Sequence, residues 1–188
     1  MTDKIRFAPI PLFFHAGFRS LQPNDSLESE QNLIGISEPS SYLYSMQPND
    51  LATKVVARMY DNDWFSQWLG IERIVTDPGN CVLRMTIRKE MLNGFAIAHG
   101  GITYSLADSA LAFASNGHGR MAVSIETSIS HIEQLREGDV ITATAEEMSL
   151  TNKIGIYQVT VRNQNNETVA LFKGTVYRTG KDWFPEEQ

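Results

Sequence analysis

At 188 residues the chain has room for one well-cored domain and not for two large ones. Its 42% hydrophobic and 20% charged residues are ordinary for a globular protein, and no run of about 18 apolar residues offers a membrane span. A net charge of −6 argues against nucleic acid as the main partner, and a single cysteine, Cys81, excludes an intrachain disulfide and suits a reducing cytoplasm.

The chain divides into unequal parts. Five of the seven prolines precede Asp50, in a stretch rich in Ser, Asn and Gln with no helical or strand period. Residues 1–49 therefore read as an irregular extension that the rest does not need, with Leu12, Phe13 and Phe14 able to cling to a surface. Lys4 and Arg6 ahead of that apolar patch imitate a signal peptide, but Pro9 and Pro11 interrupt it and no small-residue cleavage pattern follows. The domain is expected over 50–180, with 181–188 as a tail.

Asp50 can cap a helix that places Leu51, Val55, Val56 and Met59 on one face. A short helix over 63–69 should stop at Gly70, with Trp64, Phe65 and Trp68 packing it onto the body of the domain or lining an acyl tunnel. From Cys81 the residues alternate: Cys81, Leu83, Met85 and Ile87 face one way, and Arg84, Thr86 and Arg88 the other. A helix is expected over 100–116, ending at Gly117. Four strands then follow at 122–131, 140–149, 154–162 and 168–178, with Thr151-Asn152 and Asn165-Asn166 as turns. One central helix followed by four closely linked strands makes an α+β fold, an antiparallel sheet with a helix on it.

The helix over 100–116 carries the chemistry. Its residues are apolar or small nearly all round, and Asp108 is the sole charge. Such a helix is buried on most sides, where a carboxylate is costly unless paired or used. Asp108 is thus either a satisfied buried group or a working one. At the helix start, His99-Gly100-Gly101 leaves backbone N–H groups aimed along the helix dipole, an arrangement that suits a phosphate or a developing oxyanion. A plainer reading is that the glycines permit close packing and Asn93-Gly94 is a turn.

Taken together, N-G-x-x-x-x-H-G-G-x-x-x-x-L-A-D from Asn93 to Asp108 resembles the hot-dog-fold thioesterases, most of all the phenylacetate-pathway (PaaI-type) acyl-CoA thioesterase branch. Gly138-Asp139-x-x-x-Ala143-Thr144-Ala145 and Thr168-Val-Ala-Leu-Phe-Lys-Gly174 add weaker support. The resemblance implies a hot-dog fold, a long central helix wrapped by an antiparallel β-sheet, with sheets pairing between subunits in a homodimer or a dimer of dimers. It also implies hydrolysis of acyl-CoA without metal or cofactor, CoA being part of the substrate. By the same resemblance, Asp108 activates water or attacks, and the Gly100 N–H polarises the thioester carbonyl. Asn93, His99 and Gly101 hold the acyl end and entry loop, and Ser124 is a helper hydroxyl.

A distance adds to the motif. Eight residues of helix separate Gly100 from Asp108, about 12 Å at 1.5 Å per residue. That is too far for one water to bridge within a chain, so the site is expected between two chains. The remaining candidates give little. Cys81 shares the apolar strand face, so core packing outweighs nucleophilic catalysis. His15, His99, His118 and His131 lack ligand spacing for zinc, and no G-x-S-x-G elbow exists. Arg120, Lys153 and Arg178 could meet CoA phosphates, though solvated charges explain them as well. Two rivals remain. A hot-dog hydratase would carry D-x-N-P-x-H, which is absent. An acyl-CoA sensor would need a DNA-binding helix pair ahead of the domain, where the chain is proline-broken.

Overall fold

A computed structural model describes residues 48–185. The readings for residues 1–47, including the patch at Leu12, Phe13 and Phe14, lie outside the described residues. Within them no helix is long and apolar enough to cross a membrane.

Two helices come first, α1 (Pro48–Asp61) and α2 (Trp64–Leu69). The start of α1 differs from expectation: Pro48 opens it, and Asp50 sits in the first turn rather than at the cap. Proline's fixed φ and missing N–H suit a first helical position, while the carboxylate still favours the positive end of the dipole. Ala52, Val55 and Val56 are the fully buried residues of this helix, and Leu51 and Met59 are half-buried. Asp63 caps α2 by accepting from the Ser66 N–H at 3.0 Å, and Gly70 ends it at φ 73°.

The aromatic residues of α2 do not pack inward. Trp64, Phe65 and Trp68 are 78%, 53% and 49% exposed, so the expectation that they dock the helix is corrected. The inward face is made by Ser66 and Leu69 instead. Ser66 is small enough to bring α2 against the central helix, where its hydroxyl lies 3.0 Å from that of Ser109.

The sheet begins with β1 (Glu72–Asp77), a strand the sequence did not announce, and β2 (Asn80–Thr86), joined through Pro78 and Gly79, the latter at φ 78°. The central helix α3 (Gly100–Asn116) is followed by β3 (Arg120–His131), β4 (Val140–Leu150), β5 (Ile154–Asn163) and β6 (Thr168–Asp182). All pairings are antiparallel in the order β1-β2-β4-β5-β6-β3, so β3 leaves the helix to become an edge beside the last strand. Cys81, Leu83, Met85 and Ile87 face the core as the alternation required. Leu106, Ala107, Ala110, Leu111, Phe113 and Ala114 face them from α3. Gly174 makes the close approach possible, because a Cβ there would lie deep inside van der Waals contact with Leu111 Cδ2.

The ends of α3 and β6 also depart from expectation. Gly117 caps the helix in a right-handed conformation, and Gly119 takes the left-handed one at φ 85°. The last strand runs through Asp182, into the expected tail. The Trp183 N–H donates to Gly119 O at 2.8 Å, and its indole donates to Asn116 Oδ1 at 2.8 Å. Asn116, buried at the helix end, also gives its amide to Ala112 O and Ala122 O and accepts from the Ala122 N–H. One side chain therefore ties α3, β3 and the residue after β6.

Candidate active site

The loop before α3 is shaped by backbone hydrogen bonds. The Asn93 N–H donates to Ile97 O at 2.8 Å, the Ala98 N–H to Leu135 O at 2.8 Å and the His99 N–H to Met91 O at 2.9 Å. Asn93 turns the chain by accepting from the Phe95 N–H at 2.9 Å through Oδ1, as Asx turns do. Ala96, at φ 57°, takes the left-handed position of the loop rather than Gly94. These bonds set His99 down as the N-cap of α3.

The cap treats the two glycines differently. The Gly101 N–H donates to His99 Nδ1 at 3.0 Å, so it is occupied. The Gly100 N–H has no acceptor among the described residues and stands at the positive end of a 17-residue helix. Of the pair expected to offer N–H groups, Gly100 is the one free to do so. It lines a recess of about 280 Å³ together with Asn93, Thr103, His131 and Glu133. His131 was dismissed in the sequence because its spacing fits no metal. What brings it here is the register of β3, which no spacing rule reveals.

Asp108 lies two turns further along. It is half-buried, and burial raises its carboxyl above the ordinary range. It opens into a second recess of about 270 Å³, walled by Met59, Leu111, Ala112, Val176 and Ser124. Ser124 is on an exposed stretch of β3 but paired with Val176, which faces the helix. Thus the structure joins Asn93 to Gly100, and Asp108 to Ser124, in separate recesses of one chain. His99 is exposed at the entrance and serves Gly101.

Other candidates fall into structural roles. Burial, with a smaller contribution from Asp77, pushes the Cys81 thiol up to about 12, which removes the thiolate a nucleophile needs. His118 Nε2 lies 2.6 Å from Glu147 Oε2, which also accepts from the Tyr157 hydroxyl at 2.8 Å. Among the described residues no group of three His, Cys, Asp or Glu side chains could hold a metal ion. Arg120 donates to Thr179 O and Asn152 Oδ1, and Arg178 to Thr151 O, so each ties the end of the sheet together.

The edge strand bears on how the recesses could meet. β3 is twelve residues long, and Val123 and Ile125 on it are 56% and 58% exposed. A long apolar edge is one that proteins normally cover or pair.

Comparison with known proteins agrees with this architecture. The thioesterase superfamily matches residues 95–170. The acyl-coenzyme A thioesterase PaaI of Escherichia coli is 41% identical over 122 residues, 65% of this chain and 87% of that protein. The structure of the E. coli PaaI protein from the phenylacetic acid degradation operon matches with a TM-score of 0.71 at 38% identity, covering 72% of this chain and 99% of that one. A second solved structure, the TT0310 protein of Thermus thermophilus, matches at 0.61 and 37% identity, over 63% and 99%. The chain belongs to the thioesterase superfamily: it is a PaaI-like, hot-dog-fold enzyme of the thioester-hydrolysing class.

Proposed function

We propose that this chain hydrolyses acyl-CoA thioesters to free acid and CoA, with aryl-acetyl or medium-chain acyl groups as substrates and each site shared by two copies. The observation that carries the reading is the separation of the two recesses. Gly100 offers a free N–H in one, and Asp108 a carboxyl of raised pKa in the other. The rise of about 12 Å between them along α3 leaves each half incomplete within its own chain. A two-fold axis that runs the two α3 helices antiparallel brings each Asp108 to the other copy's Gly100. The exposed edge of β3 gives that axis a surface to pair on.

In this arrangement the thioester carbonyl accepts from the Gly100 N–H, and Asn93 and His99 hold the acyl end and the loop. Asp108 of the other copy takes the proton of an attacking water or attacks directly, with the Ser124 hydroxyl beside it. A thioester carbonyl has weak resonance stabilisation, so an oriented water and a base suffice without metal or cofactor. The raised carboxyl is a better base near neutrality than an ordinary one. The name of the E. coli relative, an acyl-coenzyme A thioesterase, supports CoA as the carrier, and its operon supports a phenylacetyl-type acid. A cytoplasmic homodimer, further paired as a dimer of dimers, fits this chemistry.

Mixed dimers test it. Asp108→Ala and Gly100→Pro homodimers should each be nearly inactive, since every site lacks one component. Co-expressed, about half the dimers are mixed and each regains one intact site, so about a quarter of wild-type thiol release should return. Asn93→Ala serves as a gentler partner if Gly100→Pro folds poorly. Verified mixed dimers as inactive as their parents would place the whole site in one chain. A panel of acyl-CoAs read by thiol release identifies the acyl group.

A further inference from the structure

We infer that His131 is a catalytic residue of this site, donating from Nε2 to the thioester oxygen beside the Gly100 N–H. The inference rests on the reading above and adds a second donor to it.

The geometry starts from a missing atom. A Cβ built on Gly100 would lie 3.0 Å from His131 Nε2, 3.5 Å from Cε1 and 3.6 Å from Cδ2. The imidazole therefore points its Nε2 edge at the first residue of α3. Gly100 has no positive φ, so the backbone there is open to any residue. A side chain at Gly100 would crowd its neighbour, and that neighbour is an imidazole. Neither ring nitrogen of His131 has a hydrogen-bond partner among the described residues. Ring, free N–H and Asn93 share one recess. A polar ring held against the residue that carries an unpaired N–H, with its own nitrogens unpaired, is arranged for an acceptor that the chain does not supply. The oxygen of a bound thioester is such an acceptor.

The step balances without an added reactant. Water adds to the carbonyl carbon and Asp108 takes its proton. The carbonyl π electrons move to oxygen, which accepts from the Gly100 N–H and the His131 Nε2–H. As the oxyanion collapses, the C–S bond breaks and its electron pair leaves with sulfur, which takes the proton held by Asp108 or one from water. His131 keeps its proton throughout. A donor aimed at a developing oxyanion contributes more to the transition state than to the ground state, so its loss falls on kcat.

The strength of the Nε2–H donor depends on the charges around the ring. The titratable groups facing it are Glu133, which shares the recess, and His99 at the helix start, whose Nδ1 is occupied by the Gly101 N–H. The opposing residue on β6 is Ala170, which has no charge.

The experiment measures kcat and KM for wild type, His131→Ala and His131→Gln, with Gly100→Ala made in both the wild-type and His131→Ala backgrounds. His131→Ala should lower kcat about 100-fold with KM little changed. His131→Gln, which keeps an N–H donor, should regain part of the rate. Gly100→Ala keeps its N–H but displaces the ring, so it should cost activity in wild type and add little in His131→Ala. Wild-type kcat in His131→Ala overturns the inference, as does a His131→Gln rate no higher than that of His131→Ala or a Gly100→Ala loss of equal size in both backgrounds. Asp108→Asn separates the two readings. If it is active, the proposed site fails as a whole. If it is inactive while His131→Ala turns over normally, only the inference about His131 fails.

Discussion

The two recesses along α3 are built on opposite principles. The one at Gly100 is a place of donors: a free backbone N–H on the helix dipole, the Asn93 amide and the His131 ring. The one at Asp108 is a place for a base: a carboxyl walled by Met59, Leu111, Ala112 and Val176. Donors gain from an oriented dipole, and a base gains from being poorly solvated. One short stretch of helix cannot give both at a single point. The difference is the ground for the proposed shared site, in which antiparallel helices would bring the donor end of one to the Asp108 of the other.

The sharpest way to break that comparison is to remove the base. Asp108→Asn keeps the shape but cannot take a proton, so thiol release from acyl-CoA should fall almost to zero with circular dichroism unchanged. The sign of the stability change is a second check. A folded-state carboxyl pKa above the unfolded value means the folded chain binds the proton more tightly. Asp108 therefore weakens the fold above its raised value, and that loss is recovered as pH falls through it toward the ordinary value of about 4. The melting temperature of Asp108→Asn at neutral pH should match or exceed that of wild type. In the active enzyme, the acid limb of the rate profile should lie above the ordinary carboxylate range, because the ionised form is the base. Comparable turnover in Asp108→Asn would sink the assignment of the base.

Next in size are the residues that hold α3 in place. Gly174→Ala would push a methyl into Leu111, a cost of about 1–3 kcal/mol for overpacking. Asn116→Ala would leave the Ala122 N–H and the Trp183 indole without their shared acceptor, at about 1–3 kcal/mol. Thermal or urea unfolding reads both. Asn116 also lines the Asp108 recess, so its loss should raise KM or lower kcat before the fold is lost, whereas Gly174→Ala should act on stability first. An Asn116→Ala protein as stable as wild type would mean that water replaces the amide.

Much of this was legible in the sequence, and the reasons are specific. The alternation from Cys81 to Ile87 fixes which face of β2 is buried, because α3 covers one face of the sheet. The uncharged run of α3 marks a helix held on most sides, and its single acid marks the second recess. What stayed hidden has physical causes too. β1 is a short edge strand whose first four residues are exposed, so burial imposes no alternation on Glu72, Arg73, Ile74 and Val75. The aromatic residues of α2 looked like core from their chemistry alone, yet the buried positions went to Ser66 and Leu69 because the helix must approach Ser109 closely. His131 and Asn116 work through register and tertiary contact, and neither leaves a local pattern.

The smallest expected effect belongs to the chain ahead of the domain. Residues 1–45 hold four of the seven prolines and no apolar period, whereas the domain's buried residues begin at Ala52. Among the described residues, both recesses are lined from Met59 onward. A chain starting at Met46 keeps the whole of α1, including Pro48 at its first turn, and so keeps the helix that supplies Met59 to the Asp108 recess. It should therefore melt at the same temperature and release thiol at the same rate as the full protein. The alternative is that Leu12, Phe13 and Phe14 cover apolar surface, in which case the shorter chain should melt lower. A lowered melting temperature with intact kcat would make the segment a stabilising strap. A lowered kcat at equal melting temperature would make it part of the substrate's surroundings, and would extend the comparison of the two recesses to a third contributor.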